Sequence, residues 1–373
     1  MAHILLNAMN LSSGGGLQIV GGLLSRFSEA NRFTVISNRQ ETLARIDVIA
    51  GERGNVAYER LLDSASNLRG FLWQMHSLRS YATREGVDLV FNVNMHLPLG
   101  GIPQLVYHMN VLRFDRPRRS PFSPGELADR LRDWRARTAL ARAERNVFES
   151  EYLAGIAGRT TGPARGKRVI YIGLEDTAAG LSGSAKTVEP GRIFCVTSPA
   201  PHKDNRVLIA MLSQLVRARP EVPWSLTIAG GREGEASFPE LVESARQHEV
   251  ADRITWLGYV DHSTLARHGS AALCLVSASR VESFCMVALE AMSWGCPAIV
   301  TSASAMPESV GDAGILVEPG DAAGFARAVI ALYDDPDLRA RHVADGFDLA
   351  RKRTWSEAAK AFEAEFAAMT AAP

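Results

Sequence analysis

Glu282-Ser283-Phe284-Cys285-Met286-Val287-Ala288-Leu289-Glu290, continuing as Ala291-Met292-Ser293-Trp294-Gly295-Cys296-Pro297, is the stretch that decides how this chain is read. Immediately before it, Ala272-Leu273-Cys274-Leu275-Val276 is short, apolar and rich in strand formers, so it reads as a buried strand ending at Ser277. A helix is expected to begin near Ser283 or Phe284, with Met286 to Trp294 as its interior, because Gly295 followed by Pro297 is a stop signal. Glu282 then falls on the strand-to-helix loop and Glu290 lies farther along the helix. The N–H groups of Phe284, Cys285 and Met286 would have no intrahelical acceptor and would sit at the positive end of the helix dipole, a setting that suits a phosphate. The two carboxylates repel an anion, so they suit the hydroxyl groups of a sugar or ribose beside it. An ordinary surface helix, with Glu282 in its first turn and Glu290 in water, fits the same residues.

Outward from this stretch, short apolar runs alternate with helical segments. His3 to Ala8, Phe33 to Ile36, Asp88 to Val93, Gln104 to Tyr107 and Arg145 to Phe148 form a first series. Arg168 to Ile172, Arg192 to Val196, Trp224 to Ala229, Ile254 to Leu257, Ala272 to Val276, Ala298 to Val300 and Gly314 to Val317 form a second. Such alternation is the mark of parallel, helix-covered α/β sheets, and two Rossmann-like halves are expected. The Gly-, Thr- and base-rich segment Thr160 to Lys167 reads as the boundary, giving domains over 1–165 and 166–354 and a final helical piece over 355–373. The last helix, from Ser356 to about Met369, carries Ala359, Phe362 and Phe366 at helical spacing.

A chain of 373 residues has room for two domains of ordinary size. With 41 basic against 41 acidic residues the net charge is zero, which removes bulk attraction to nucleic acid. Cys195, Cys274, Cys285 and Cys296 form no CxxC pair and no zinc spacing, so no disulfide framework or metal site is expected; Cys195 and Cys274 read as small core residues. The N-terminal Met1-Ala2-His3-Ile4-Leu5-Leu6 lacks the charged start of a signal peptide, and no apolar run is long enough for a membrane span. A reduced, cytoplasmic location is expected, with peripheral attachment to the inner face of the plasma membrane left open.

Further candidates lie at the carboxyl ends of expected strands. Ser12-Ser13-Gly14-Gly15-Gly16 follows the first strand, where glycines let a backbone approach an anion, although the dinucleotide fingerprint is incomplete and the second strand ends in Asn38 where an acid would hold a ribose. A structural turn accounts for it equally. Pro201-His202-Lys203-Asp204-Asn205 puts Lys203 within reach of the crevice where open α/β sheets take ligands. His108, closing Gln104-Leu105-Val106-Tyr107, and His96 are candidates for holding a hydroxyl or an oxyanion, or are structural. Arg113, Arg116, Arg118, Arg119, Arg130, Arg132, Arg135, Arg137, Arg142 and Arg145 face only five acids, and with the apolar stretch around Leu68, Phe71, Leu72 and Met75 they suit an anionic lipid surface or a lipid-linked diphosphate, or are a solvated helix beside a core helix. Asp335-Pro336-Asp337 reads as a turn and helix cap, not as a metal-binding pair.

Together these pieces resemble the retaining glycosyltransferases of family 4, which have the GT-B fold of two facing Rossmann-like domains. Glu282 to Glu290 is similar to that family's E-x7-E motif, and Ala291-Met292-Ser293-Trp294-Gly295-Cys296-Pro297 to its EAMACGxP continuation. Pro307-Glu308, Asp312-Ala313-Gly314 and Pro319 follow the same pattern, and Pro201-His202-Lys203-Asp204-Asn205 resembles the PHKN element of one branch. The resemblance covers Arg192 to Pro319 best; in the first half only the glycine loop and His108 take part. It implies an acceptor-side first domain, a nucleotide-sugar second domain and a last helix that crosses back to the first.

The resemblance further implies a UDP- or GDP-sugar donor, a glycan or lipid-linked acceptor in cell-surface polysaccharide synthesis, and no cofactor or metal. Glu290 would hold the ribose, Glu282 the donor sugar, and Lys203 the diphosphate with the amides of Phe284, Cys285 and Met286. Gly15 and Gly16 would line the donor, Tyr259 the base, and His108 would stand on the acceptor side near the transferred sugar. Transfer would be a front-face displacement in which the leaving diphosphate helps deprotonate the acceptor, chemistry that needs positioning and charge stabilisation more than a strong protein base. The chain departs from the family at Ser283 and Cys285, where glycines are usual, at Ser198, where an arginine precedes the lysine, and at Met109-Asn110, where an acid follows the histidine. A nucleotide-sugar epimerase or hydrolase and a non-catalytic nucleotide-sugar-binding subunit share most of these features. A nucleotide-dependent oxidoreductase is disfavoured by the missing fingerprint and acid.

Overall fold

Runs such as Ile4-Leu5-Leu6 and Leu275-Val276 have no polar face to offer water, so they must lie inside sheets covered on both sides. A computed structural model, which describes residues 1–9, 11, 15–62, 66–114, 126–175, 187–231, 235 and 237–371, places them so. The chain divides into two units: Met1–Gly173 with Trp355–Pro373, and Leu174–Thr354.

In the first unit, β1 (His3–Asn7), β2 (Arg32–Ser37), β3 (Val56–Arg60), β4 (Leu89–Val93), β5 (Gln104–His108), β6 (Arg145–Phe148) and β7 (Lys167–Val169) form one sheet in the order β3-β2-β1-β4-β5-β6-β7. Every pairing is parallel. The helices are α1 (Gly15–Leu24), α2 (Gln40–Ala50), α3 (Asn67–His76), α4 (Leu78–Arg84), α5 (Glu126–Arg142) and α6 (Glu151–Thr161). β3 has no apolar run and escapes a reading of hydrophobic stretches; as an edge strand it needs none.

The second unit holds β8 (Arg192–Thr197), β9 (Ser225–Gly230), β10 (Ile254–Gly258), β11 (Cys274–Ser277), β12 (Ala298–Thr301) and β13 (Ile315–Val317), again all parallel, in the order β10-β9-β8-β11-β12-β13. Its helices are α7 (Asn205–Ala218), α8 (Phe238–Gln247), α9 (His262–Ala271), α10 (Met286–Ser293), α11 (Met306–Val310), α12 (Ala322–Asp334) and α13 (Pro336–Lys352). Counted from β8, this is the 3-2-1-4-5-6 order of a doubly wound nucleotide-binding sheet. Alternate residues of each strand enter opposite cores: Ile193, Cys195, Val276 and Ile299 pack with Leu208, Leu212, Trp224 and Phe325, whereas Phe194, Leu275 and Val300 pack with Ala288 and Met292. Gly230 ends β9 at φ +106°, and a Cβ there would lie 1.9 Å from the Thr197 carbonyl oxygen, so no other residue fits.

The final helix, α14 (Trp355–Thr370), belongs to the first unit. Its Phe362 stacks on Phe91 at 5.3 Å and Phe366 meets Phe27 edge-on at 5.4 Å. Gly22 in α1 makes room for Trp355, whose ring would lie 2.5 Å from any Cβ at that position. Glu365 takes Arg145 at 2.5 Å and Arg168 at 2.8 Å, tying the helix to β6 and β7.

One local expectation changes and another holds. Arg168 to Ile172 does not open the second series: β7 pairs with β6 (Asn146↔Lys167, Phe148↔Val169), because the outer edge of β6 takes the first strand that follows α6. The division therefore falls after Gly173, not at 165. Asp335 accepts the Leu338 N–H at 2.8 Å with Pro336 in the first turn, which makes Asp335-Pro336-Asp337 the start of α13.

Candidate functional site

In the second sheet the strand order reverses between β8 and β11, and open α/β sheets take ligands outside the carboxyl ends of the strands at such a point. β8 runs out into a loop ending in the single 3-10 turn Pro201–Lys203, then Asp204 in the left-handed region at φ 49°, then α7. Buried Asn205 wraps this loop: its amide donates to the Ser198 carbonyl at 2.7 Å and its Oδ1 accepts from Thr197 Oγ1 at 3.0 Å. The order Lys-Asp-Asn thus ends a turn, reverses the backbone and closes the loop, and the Lys203 side chain reaches the loop after β11.

The loop after β11 meets it. The Arg280 N–H donates to the His202 carbonyl at 2.8 Å, and Arg280 Nε donates to Asp204 Oδ2 at 2.6 Å. Lys203 Nζ then lies 2.5 Å from Glu282 Oε1, the two side chains being 23% and 17% exposed. A third loop, after β12, holds this arrangement from behind. Ser304 Oγ accepts the Glu282 N–H at 2.9 Å, the Ala305 N–H reaches the Glu282 carbonyl at 3.4 Å, and Ser309 Oγ accepts the Cys285 N–H at 2.9 Å while donating to the Ala305 carbonyl at 2.8 Å. Ser304 holds φ 51°, a conformation that costs a non-glycine residue roughly 1 kcal/mol or more.

The amide set expected to meet a phosphate is corrected here. α10 begins at Met286 with Cys285 as the preceding cap residue, later than Ser283 or Phe284. The Cys285 N–H is committed to Ser309, so it is not directed at a ligand. Burial also pushes the Cys285 thiol up to about 12, and that of Cys195 equally, which leaves both as core groups and not nucleophiles. Phe284 is buried, and Met286 opens the helix with an N–H that has no intrahelical acceptor.

Glu290 faces His262, whose Nε2 lies 3.6 Å from Glu290 Oε1 and whose ring stands edge-on to Trp294 at 5.5 Å. Hydrogen bonding to Glu290 raises the His262 pKa against the opposing pull of burial, with the charges of Glu290, Glu175 and Asp261 adding to the rise. Asp261 caps α9 by accepting the Thr264 N–H at 2.8 Å, and its hydrogen bonds, that from Ser263 foremost, lower its carboxyl to about 2. Tyr259, 66% exposed just past β10, donates its hydroxyl to Glu235 at 2.9 Å. Lys203, Glu282, Glu290 and Tyr259 all lie on loops or helix turns that follow the carboxyl ends of these strands. Arg280, Ser304, Ser309 and His262 were not singled out from sequence; only His262 had a local signal, standing next to a recognisable helix cap.

In the first unit the candidates fare differently. His108 is 1% exposed, its Nε2 lies 2.9 Å from Asn146 Oδ1, and its ring stacks on Phe148 at 4.7 Å. It is thus enclosed among the described residues, and the acceptor-side role expected of it rests on the resemblance alone. His96 Nε2 lies 3.1 Å from Gln104 Nε2, and burial lowers its pKa. Gly15 and Gly16 head α1, and a Cβ on Gly16 would touch Leu11 at 3.0 Å and Met109 at 3.3 Å, so this glycine serves packing. Ser12, Ser13 and Gly14 lie outside the described residues, as do Arg116, Arg118 and Arg119 and the side chains of Arg113, Arg132 and Arg135.

Residues 190–335 match the family described as "Glycosyl transferases group 1". The group 1 segment thus contains β8 to β13 and the whole Lys203–Glu282–Glu290 arrangement. Over 139 residues, 37% of this chain, the sequence is 36% identical to the D-inositol 3-phosphate glycosyltransferase of Pseudarthrobacter chlorophenolicus. That match spans 33% of the relative's length, about a third. Among solved structures, sucrose-phosphate synthase from Thermosynechococcus elongatus superposes with a TM-score of 0.77 at 18% identity, covering 100% of both chains. Anabaena HepE in complex with UDP-glucose gives 0.74 at 16% identity, covering 99% of this chain and 100% of the other. The fold is that of the GT-B glycosyltransferases. No helix of the described residues is long and apolar enough to cross a membrane.

Proposed function

We propose that this protein is a retaining glycosyltransferase that moves a sugar from a UDP- or GDP-linked donor to a glycan or lipid-linked acceptor in cell-surface polysaccharide synthesis. The observation that carries the reading is Lys203 against Glu282 at the strand-order reversal of the group 1 segment. A diphosphate calls for a cation and the sugar beside it for hydrogen-bond acceptors, and Lys203 and Glu282 offer both on anchored loops. Lys203 and the head of α10 neutralise the diphosphate, Glu282 accepts from the sugar hydroxyls, and Glu290 accepts from the ribose beside His262. The base lies by Tyr259.

Charge on the departing diphosphate is met by Lys203, so this chemistry calls for no metal. The family match of the segment and the UDP-glucose bound by HepE support a nucleotide-sugar donor. The acceptor is assigned to the first unit, and α5, with Trp134 59% exposed among its arginines, supports peripheral contact with anionic lipid.

The test is a panel of UDP and GDP sugars, with and without extracted glycolipid acceptors, read as nucleoside diphosphate release. Acceptor-stimulated release is expected. Conversion of the donor without acceptor would replace the reading with an epimerase or hydrolase, and silence with every donor would leave a binding subunit.

A further inference from the structure

The ligand-free site does not present Lys203 as an open cation. Its ammonium already has a full counter-charge in Glu282 at 2.5 Å, and both side chains are more than three-quarters withdrawn from water. Both backbones are tied by hydrogen bonds. Lys203 N–H is held by the Ala200 carbonyl at 2.9 Å, the His202 carbonyl takes Arg280 N–H at 2.8 Å, and Glu282 is held through its own N–H by Ser304 Oγ at 2.9 Å. Rotation of the two side chains is enough to break the contact.

We propose that Glu282 is the resting counter-ion of Lys203, and that this makes it the residue that discriminates intact donor from spent nucleoside diphosphate. The inference rests on the nucleotide-sugar reading above. A diphosphate reaching Lys203 competes with the carboxylate, since a second anion on the same ammonium repels the first and weakens its hold. A bare nucleoside diphosphate leaves the displaced, largely buried carboxylate with nothing to accept from, and such a group is costly to leave unpaired. An intact donor brings sugar hydroxyls that donate to that same carboxylate. The exchange thus favours the donor and disfavours the product, on a side chain whose main chain is tied behind it by Ser304. In the free enzyme Glu282 competes with phosphate; in the donor complex it cooperates with the sugar.

Calorimetric titration of wild type, Glu282→Gln, Lys203→Gln and the double variant with inorganic pyrophosphate, UDP and GDP tests this. Glu282→Gln is expected to bind pyrophosphate and the preferred nucleoside diphosphate roughly ten- to a hundredfold more tightly, the range of one charge-assisted hydrogen bond. In the Lys203→Gln background the same substitution is expected to give little tightening, and Glu290→Gln, which removes an equal charge elsewhere in the unit, much less than Glu282→Gln. Steady-state kinetics should show stronger product inhibition in Glu282→Gln relative to its donor KM. Unchanged or weaker binding in a Glu282→Gln protein that melts like wild type overturns the proposal, as does equal tightening in the Lys203→Gln background. If Glu282→Gln does not fold, Glu282→Asp, which shortens the reach to Lys203, must shift affinity in the same direction. Failure of wild type to bind either nucleotide would instead overturn the nucleotide-sugar reading and leave the pyrophosphate arm to judge the exchange.

Discussion

The carboxyl edges of the two sheets have the same topology and opposite chemistry. At the first, where order reverses between β1 and β4, Asn7 donates to Gln74 and to Asn92 at 2.9 Å each, and Asn92 donates to Gln104 at 2.9 Å, all buried. His108 lies enclosed on the neighbouring strand. At the second, where order reverses between β8 and β11, the corresponding place holds Lys203, Glu282 and the Asp204–Arg280 pair at partial exposure. A neutral, saturated amide network fixes strands in register and has no charge with which to exchange a partner for an anion. A charged pair that still reaches water at its edge can trade one partner for another. Among the described residues, a shared fold therefore gives one edge a structural amide network and the other the charges that the proposed site needs.

The contrast can be broken by substitutions that should lower stability at one edge and affinity at the other. Asn92→Ala strands both Asn7 and Gln104 in a buried setting and is expected to cost about 3 kcal/mol of stability with nucleotide affinity unchanged, read by denaturant midpoint and calorimetry. Lys203→Ala should weaken nucleoside diphosphate binding by about 2 kcal/mol, near thirtyfold, and should also lower the melting temperature, because it leaves the largely buried Glu282 without its counter-ion. His108→Ala should cost about 1 to 2 kcal/mol of stability by orphaning Asn146 Oδ1, and a selective loss of turnover without loss of stability would restore it to the site. Ser304→Gly removes both the left-handed strain and the hold on Glu282. Stability should stay within about 1 kcal/mol of wild type while donor kcat/KM falls about fivefold.

The smallest effect concerns pH. His262 has a raised pKa in the folded chain, with Glu290 as the leading cause, so the pair's contribution is fully present below the ordinary value of 6.5 and is lost as pH rises through the raised value. Because the imidazole is half exposed, the contribution should stay below about 1 kcal/mol, and His262→Gln should flatten the stability profile in that window only. An imidazole that titrates in NMR at or below the ordinary value would break the assignment.

The second edge was legible in the sequence where its residues are close together. Glu282 and Glu290 share one strand-loop-helix signal, and Gly295 with Pro297 marks its end. The meeting of Lys203 with Glu282 was not legible, because they are brought together across β8 and β11 and only strand order makes those strands neighbours. Ser304 and Ser309 gave no signal either, since a serine accepting a distant amide looks like any loop serine. At the first edge the reading of His108 stopped at its position on a strand end, and the rings that enclose it, Phe114 and Phe148, come from other elements. The helix stop, the cap at Asp335 and most strands follow from local patterns; β7 went astray because an alternating run at an edge does not say which sheet it joins.

The aromatic ring cluster of the first unit sets an order of events during synthesis. Phe27, Phe33 and Phe91 emerge early, yet they wait for Phe362 and Phe366, which are made only after the whole of Leu174–Thr354. The second unit, continuous in sequence, is complete on the ribosome before the first can close its core. The first unit is therefore the part most exposed during synthesis, and a chain that stalls before Trp355 should carry a finished second sheet and an open first core.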